Sequence, residues 1–193
     1  MNPLFAPLPR SVLVHGEEYA LRWDAQTALR ILAAFEDDAL ADAEKQGVML
    51  RLLYPVQPPD AAEAARLAVR FLNCGGAPAR EDGPRLYSFS HDAALIYAAL
   101  RRSHGLDPAQ PMHWYQFAAL FFDIGADTLF ARVVYLRRQQ ALGRLTADER
   151  RTLAALGETA ALPQSETPEE RQAGARFRAL LGRGEPKGGN NGI

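Results

Sequence analysis

Apolar residues recur every three or four positions along most of this chain, and this helical spacing is the feature that most constrains its fold. Prolines, glycines or residues that commonly cap helices stand at the borders of these segments. The pattern predicts amphipathic helices that each bury one face. We therefore expect a mainly α protein: a compact multi-helix domain with a short N-terminal β-hairpin and a disordered C-terminal tail.

A β-hairpin is predicted near the N-terminus. Ser11–Val14 is rich in residues that favour strands, Glu17–Trp23 alternates apolar and polar side chains, and His15-Gly16 suits a tight turn between them. Because two strands alone are marginally stable, the apolar face of the second strand is expected to pack against the helices. That face consists of Tyr19, Leu21 and Trp23.

Eight helices are predicted from apolar spacing together with capping signals. They begin at or near Asp24, Ala41, Pro58, Ser90, Trp114, Asp127, Thr146 and Thr167. The fifth is the most apolar and is expected at the centre of the fold. Positions expected to face inward include Phe35, Ala93, Tyr97, Phe122 and Leu129. Positions expected to face outward are Arg132, Arg137 and Arg138.

The chain is expected to form one helical domain with two C-terminal appendages. Residues 10–163 form the domain, residues 164–181 an extension with one helix, and residues 182–193 a disordered tail. The tail is rich in Gly, Asn, Lys and Pro and has almost nothing to bury, so it cannot offset the entropy lost on ordering. Within the domain, the Gly- and Pro-rich stretch from Gly75 to Arg85 is predicted to be a flexible loop.

Charge and composition disfavour several kinds of partner. With 22 basic and 23 acidic side chains and a net charge of −1, the chain has no field to concentrate nucleic acid or an anionic membrane. A cluster of arginines between Arg132 and Arg151 is interrupted by acidic residues and is interpreted as a solvated helix face.

No apolar run reaches the roughly 18–20 residues that span a bilayer, and the first residues lack a stretch of signal-peptide length. The single cysteine, Cys74, cannot form an internal disulfide, so we expect a protein of the reducing cytoplasm.

The side chains that could bind a metal ion or act in catalysis do not form an enzyme motif. Candidate zinc ligands lie on different predicted elements, with no pair three or four positions apart. They are Cys74, His91, His104 and His113. His91-Asp92 resembles the pair of metal-dependent phosphohydrolases, but it also fits the first turn of a helix capped by Ser90, where Asp92 would meet the helix dipole favourably. With no P-loop, dinucleotide fingerprint or nucleophile elbow, we expect a non-enzymatic protein without metal or cofactor, in which Cys74 is a structural thiol.

The aromatic run from His113 to Phe117 has two interpretations. Trp and Tyr anchor many interfaces, so the run could form a docking face, yet its helical spacing also fits the core. We assign Trp114 and Phe117 to the core and expect Tyr115 and His113 to reach the surface. Tyr115 is the predicted partner contact.

The order of several motifs resembles the bacteriophage Gp-fifteen family, whose members are encoded among the tail genes of long-tailed phages. Four stretches carry the resemblance: TALRILAAFEDDALADAEKQGVMLRLLYP (Thr27–Pro55), RFLNCG (Arg70–Gly75), YSFSHDAALIYAALRRSHGLDP (Tyr87–Pro108) and HWYQFAALFFDIGADTLFARVVYLR (His113–Arg137). The resemblance covers roughly residues 10 to 163. The chain departs from the family at Ala41, where members prefer a residue that caps a helix, and in the extension beyond Pro163.

The resemblance implies a gene next to that of the tape measure protein and a role as a tail assembly chaperone. The expected partner is the tape measure protein, with the tail tube protein as a second candidate. The alternative is a structural tail-completion or connector component that stays in the virion. The family implies no catalytic residues, and the sequence does not determine the oligomeric state.

Overall fold

The computed structural model describes residues 6–77 and 83–162, which form a β-hairpin followed by seven α-helices. The strands are β1 (Ser11–Val14) and β2 (Glu17–Ala20). The helices are α1 (Ala25–Glu36), α2 (Asp42–Leu53), α3 (Ala61–Leu72), α4 (Ala93–His104), α5 (Trp114–Phe122), α6 (Leu129–Ala141) and α7 (Ala147–Leu156). A short 3-10 helix at Gly157–Thr159 follows α7. The mainly α fold class with an N-terminal hairpin is confirmed.

The chain divides into two units, Met1–Pro163 and Gln164–Ile193, and the second lies outside the described residues. Three predicted features therefore lie wholly or partly outside the described residues. They are the extension at 164–181 with its helix near Thr167, the tail at 182–193, and the loop from Gly75 to Arg85, of which residues 78–82 are not described.

The predicted hairpin is present, with a shorter second strand. β1 and β2 pair in antiparallel register, and Ser11 lies opposite Ala20. His15 and Gly16 adopt positive φ angles of 50° and 87°, as the central residues of a tight hairpin turn do. The second strand ends at Ala20 rather than at Trp23. The N–H of Leu21 still donates to the carbonyl oxygen of Arg10, over 2.8 Å, and the backbone beyond Leu21 pairs with the helical part of the fold.

The segment after β2 connects the hairpin to two helices. The N–H of Arg22 donates to the carbonyl oxygen of Leu53 at the end of α2, over 2.8 Å. The N–H of Trp114 donates to the carbonyl oxygen of Trp23, over 2.9 Å. The first bond joins the hairpin to the end of α2, and the second places the start of α5 beside the start of α1.

Side-chain caps fix the start of most helices. Polar residues cap α1, α3, α5, α6 and α7; they are Asp24, Asp60, His113, Thr128 and Thr146. The predicted caps Asp24 and Thr146 are thus confirmed, whereas α3 begins after Asp60 rather than at Pro58. The cap of α2 differs, because the methyl group of Ala41 accepts no hydrogen bond and only Glu44 contributes, by accepting the N–H of Ala41 at 2.8 Å.

The fourth helix begins later than predicted. α4 starts at Ala93, and Ser90 does not cap it. Instead, the N–H of Ser88 donates to Oδ2 of Asp92, and the N–H of His91 donates to Oγ of Ser88, both at 2.9 Å. The predictions of Ser90 as cap and of Asp92 in the first helical turn are wrong, because these bonds make residues 88–92 a turn of their own.

Several residues that were expected to face inward are exposed. They are Phe35, Ala93, Tyr97, Phe122 and Leu129. Tyr97, Phe122 and Leu129 each adjoin a buried residue in the sequence. Adjacent positions on a helix point about 100° apart, so the neighbour of a buried residue can point toward solvent, as these three do. Phe35 and Ala93 lie at helix ends, where less of the core surrounds them.

α5 lies at the centre of the fold, as predicted. Trp114, Phe117 and Phe121 are buried, and consecutive rings along this row stack at centroid distances of 5.7 Å and 6.3 Å. Nε1 of Trp114 donates to the carbonyl oxygen of Leu72 in α3 over 2.9 Å. α5 also contacts α1 and α4. Apolar as it is, α5 has nine residues, and none of the helices in the described ranges has the length and apolarity needed to cross a membrane.

Candidate partner-binding surface

A histidine cap fixes the start of α5. Nδ1 of His113 accepts the N–H of Tyr115 at 3.0 Å, and Oε1 of Gln116 accepts the N–H of His113 at 3.2 Å. The other ring nitrogen, Nε2, therefore carries the proton and donates it to the carbonyl oxygen of Pro9 over 2.8 Å. Burial lowers the pKa of His113, which favours this neutral form. The expectation that His113 reaches the surface is wrong, because these bonds hold the ring inside the fold.

Tyr115 lies half-buried at the edge of the core. Its ring contacts Phe71 at a centroid distance of 5.4 Å and His113 at 5.2 Å. Burial raises the pKa of Tyr115 to about 12, so the side chain is a neutral phenol at pH 7. Within the described ranges its hydroxyl makes no hydrogen bond. Since a partly buried tyrosine hydroxyl usually finds a partner, this side chain suits a contact with a second molecule.

Tyr115 lines an apolar cleft of about 370 Å³. The other lining residues are Leu8, Cys74, Gln116, Ala118, Ala119 and Phe122. Phe122 is 81% exposed, and its ring contacts Phe121 edge to face at 5.7 Å. Full burial of such a side chain contributes about 1.5–3 kcal/mol. The cleft therefore pairs a phenol with an aromatic ring that a partner could cover.

Cys74 lines the same cleft, where the chain turns away from the end of α3. Its φ angle of 53° lies in the left-handed region. Burial raises the pKa of the thiol, so it stays protonated at neutral pH and is a poor nucleophile. The described residues of the cleft thus offer apolar contact and a hydrogen-bond donor rather than covalent chemistry.

Arg137 is buried, although it was expected to face outward. Its guanidinium forms two hydrogen bonds to the Asp92 carboxylate, from Nη1 to Oδ2 at 2.7 Å and from Nη2 to Oδ1 at 2.9 Å. Its Nε donates to the carbonyl oxygen of Ala160 over 2.8 Å. The interpretation of the arginine cluster as a solvated face is therefore wrong for Arg137. Asp92 is engaged in this pair, whereas its neighbour His91 is exposed, so the two do not converge on one site.

The other candidate metal ligands also lie apart. Nε2 of His104 binds the carbonyl oxygen of Leu120 at 2.9 Å, and Nε2 of His113 binds that of Pro9. Cys74 lines the apolar cleft. In the part of the chain that the structure describes, no group of three or more His, Cys, Asp or Glu side chains is placed to hold a metal ion.

Comparison with known proteins identifies the family of the chain. A family model described as Bacteriophage Gp15 protein matches residues 4–162. The chain belongs to this family. The resemblance inferred from the sequence is confirmed, and the matched region includes the whole lining of the cleft. No curated protein and no solved structure matches the chain.

In this Gp15-family chain, the sequence predicted different roles for two residues of the cleft. Tyr115 was predicted as a partner contact, and the structure places it in the cleft. Phe122 was assigned to the core. Spacing alone would not have shown its exposure, since Phe122 lies four residues after the buried Ala118 and fits the same helical face; it is exposed as the last residue of α5.

Proposed function

We propose that this bacteriophage protein is a tail assembly chaperone that acts with the tape measure protein of a long tail. It acts by binding, without catalysis, in the cytoplasm of the bacterial host. The tail tube protein is a second candidate partner. The proposal goes beyond family membership by naming a stage of assembly and a partner.

The observation that carries the proposal is the exposed ring of Phe122 beside the half-buried Tyr115 in one apolar cleft. Exposed aromatic side chains next to a concave apolar surface are typical of binding sites, because a few such anchors supply most of the binding free energy. A cleft of about 370 Å³ accepts a few side chains of a partner. It therefore suits a contact of modest strength that can be reversed.

A reversible contact is what a tail chaperone needs. A tape measure protein is a very long helical chain, and its apolar stripes would associate wrongly before tail tube subunits surround them. A small helical protein could cover those stripes, and the assembling tube would then displace it. Modest affinity at each of many sites allows both steps, because dissociation from each site stays fast.

The test is deletion of the gene from an inducible prophage that carries it, with complementation from a plasmid as the control. We expect filled heads without tails in electron micrographs of the deletion strain, and tailed particles after complementation. Mass spectrometry of purified wild-type particles should detect the tape measure protein and not this protein.

Two outcomes would contradict the proposal. Normal tails on the deletion strain would remove the role in assembly. Stoichiometric amounts of the protein in purified virions would instead favour the alternative, a structural tail-completion or connector component.

A further inference from the structure

A second groove, of about 630 Å³, lies between α2 and α3. Its apolar part is lined by Phe35, Met49, Ala65 and Val69. Phe35 projects from the last turn of α1 and is 42% exposed. Gly75 also lines the groove and directly follows Cys74, which lines the Tyr115 cleft, so the two concave surfaces adjoin.

The lining positions follow helical spacing on both sides of the groove. On α2 they are Asp42, Gln46 and Met49, and on α3 they are Ala65, Arg66, Val69 and Arg70. The first half of α2 thus faces the second half of α3, as in two antiparallel neighbours. Each helix gives one continuous face to the groove, which makes a trough bounded by two helical walls.

The two walls carry opposite charges. On the α3 wall, Arg66 forms two hydrogen bonds to Glu63, at 2.8 Å and 2.6 Å, so its charge is compensated. Arg70, one helical turn further on, has no carboxylate within ion-pair distance in the described ranges. On the α2 wall, Asp42 likewise has no basic partner among the described residues. The groove therefore presents one uncompensated positive edge and one uncompensated negative edge.

This arrangement fits a helix better than a small molecule. A small-molecule site holds its ligand with polar groups that converge on one point, whereas Arg70 and Asp42 lie on opposite walls of an apolar trough. An amphipathic helix in a groove is recognised by apolar side chains at every third or fourth position, with charged residues along both edges of that stripe.

We propose that the α2–α3 groove binds an amphipathic helix of a partner chain, whose apolar stripe lies on Phe35, Ala65 and Val69. A carboxylate on one edge of that helix pairs with Arg70, and a lysine or arginine on the other edge pairs with Asp42. The inference rests on the proposed function, because it identifies the bound segment as a helix of the tape measure protein. It adds the pattern of apolar and charged side chains that the bound helix should carry.

The first experiment uses a synthetic peptide of about 18 residues, long enough for several turns, with a leucine stripe, glutamates along one edge and lysines along the other. Binding to the full chain is measured by fluorescence anisotropy. Ala65→Leu fills the groove, and Ala62→Leu adds the same bulk at an exposed position of α3 that does not line it. We expect Ala65→Leu to weaken binding about tenfold or more and Ala62→Leu to leave it unchanged.

Circular dichroism and thermal melting establish that both variants are folded. Equal affinity of the wild-type protein and Ala65→Leu, or no binding of the peptide to the wild-type protein, would overturn the inference.

A charge exchange tests the two edges without filling the groove. Arg70→Glu and Asp42→Arg should each weaken peptide binding about threefold to tenfold, as expected for exposed ion pairs that become repulsive. The double variant should recover most of the affinity, because the exchanged walls accept the same helix in the reverse direction. Losses that simply add in the double variant would overturn the inference of a charge-matched helix.

Helical fragments of the tape measure protein separate this inference from the proposed function. Fragments that bind the wild-type protein and lose affinity with Ala65→Leu support both. If the fragments lose affinity with Phe122→Ala but not with Ala65→Leu, the groove inference is wrong and the proposed function stands. If the fragments do not bind the wild-type protein, the proposed function is contradicted, and the synthetic peptide still decides whether the groove binds a helix.

Discussion

Arg137 and Asp92, 45 positions apart in the sequence, form a bidentate ion pair inside the protein. The Arg137 and Asp92 side chains are 5% and 1% exposed. The guanidinium also donates to three carbonyl oxygens, those of Leu86, Thr159 and Ala160. The pair thus joins α6 to the turn before α4 and to the 3-10 helix after α7. Its charges are tolerated inside because they are paired and hydrogen-bonded.

Replacing one partner of this pair should destabilise the protein strongly. Arg137→Met leaves the Asp92 carboxylate buried without a counter-charge, and we expect the free energy of unfolding to fall by about 3–5 kcal/mol. Urea denaturation followed by circular dichroism measures the change. Arg138→Met is the matched control, because Arg138 is exposed and its replacement should change stability by less than about 0.5 kcal/mol.

A second variant checks the reason for this loss. Combining Arg137→Met with Asp92→Leu removes both charges and should cost less than Arg137→Met alone, since no unpaired carboxylate is left inside. A double variant less stable than the single one would show that the hydrogen bonds of Asp92 to the turn matter more than its charge.

Features that depend on neighbours in the sequence could be predicted, and features that depend on distant ones could not. The Asp24 and Thr146 caps were found because each cap and the N–H it accepts lie three residues apart. The burial of Arg137 was not predicted, because its charge indicated exposure and its partner lies on another element. Its position could have suggested burial, since Arg137 lies four residues after the buried Val133 on one helical face.

The candidate site also contains features that the sequence could predict and features that it could not. Tyr115 was predicted as a contact from its residue type and its position in the aromatic run. The burial of His113 was not predicted, because it depends on the carbonyl of Pro9, 104 positions away. The α2–α3 groove could not be predicted, since its walls are two helices whose pairing is not visible in either segment alone.

Ala41 offers a stabilising substitution. It occupies the N-cap of α2 with extended backbone angles (φ −71°, ψ 157°), and Glu44 already accepts its N–H. Ala41→Ser adds the missing acceptor and completes a capping box, so we expect a gain of about 0.5–1 kcal/mol in the free energy of unfolding. Urea denaturation measures it. In the control, Ala98→Ser at an exposed position in the middle of α4 should lose about 0.5 kcal/mol, because serine favours a helix interior less than alanine does. Equal effects of both variants would contradict the role of the cap.

His113 should make the protein less stable in mild acid. Burial lowers its pKa in the folded state below the ordinary value of about 6.5, so the unfolded chain takes up a proton first as the pH falls. The stabilising contribution of the neutral ring is present above that ordinary value and is lost as the pH falls through the folded pKa. We expect the midpoint of urea denaturation to be lower at about pH 5.5 than at about pH 7.5.

His113→Asn provides the comparison for this pH dependence. Asparagine also caps helices but does not titrate, so the variant should lose less stability than the wild-type protein over the same pH range. The hydrogen bond to Asp60 raises the pKa of His15, whose contribution has the opposite sign and is common to both proteins. An equal loss in wild type and variant would show that His113 is not responsible.

The aromatic residues of α5 should separate into those that stabilise the fold and those that bind a partner. Trp114 is buried and donates its indole N–H to Leu72, so Trp114→Ala should cost about 3–5 kcal/mol in thermal or urea denaturation. Phe122 is exposed, so Phe122→Ala should change stability by less than about 0.5 kcal/mol. It should nevertheless weaken the binding of tape measure fragments about tenfold or more, because an exposed aromatic anchor acts mainly in the complex.

Val56→Ala is the control for the loss of an exposed apolar side chain, since Val56 is exposed and lies in the loop between α2 and α3, away from the cleft. It should change neither stability nor binding. Tyr115→Ala should weaken binding as well, with a moderate loss of stability because the half-buried ring also packs on Phe71. A Phe122→Ala protein that binds the fragments like the wild-type protein would remove the cleft as the contact surface. A stable Trp114→Ala protein that no longer binds would show that the Trp114 ring contacts the partner and does not belong to the core.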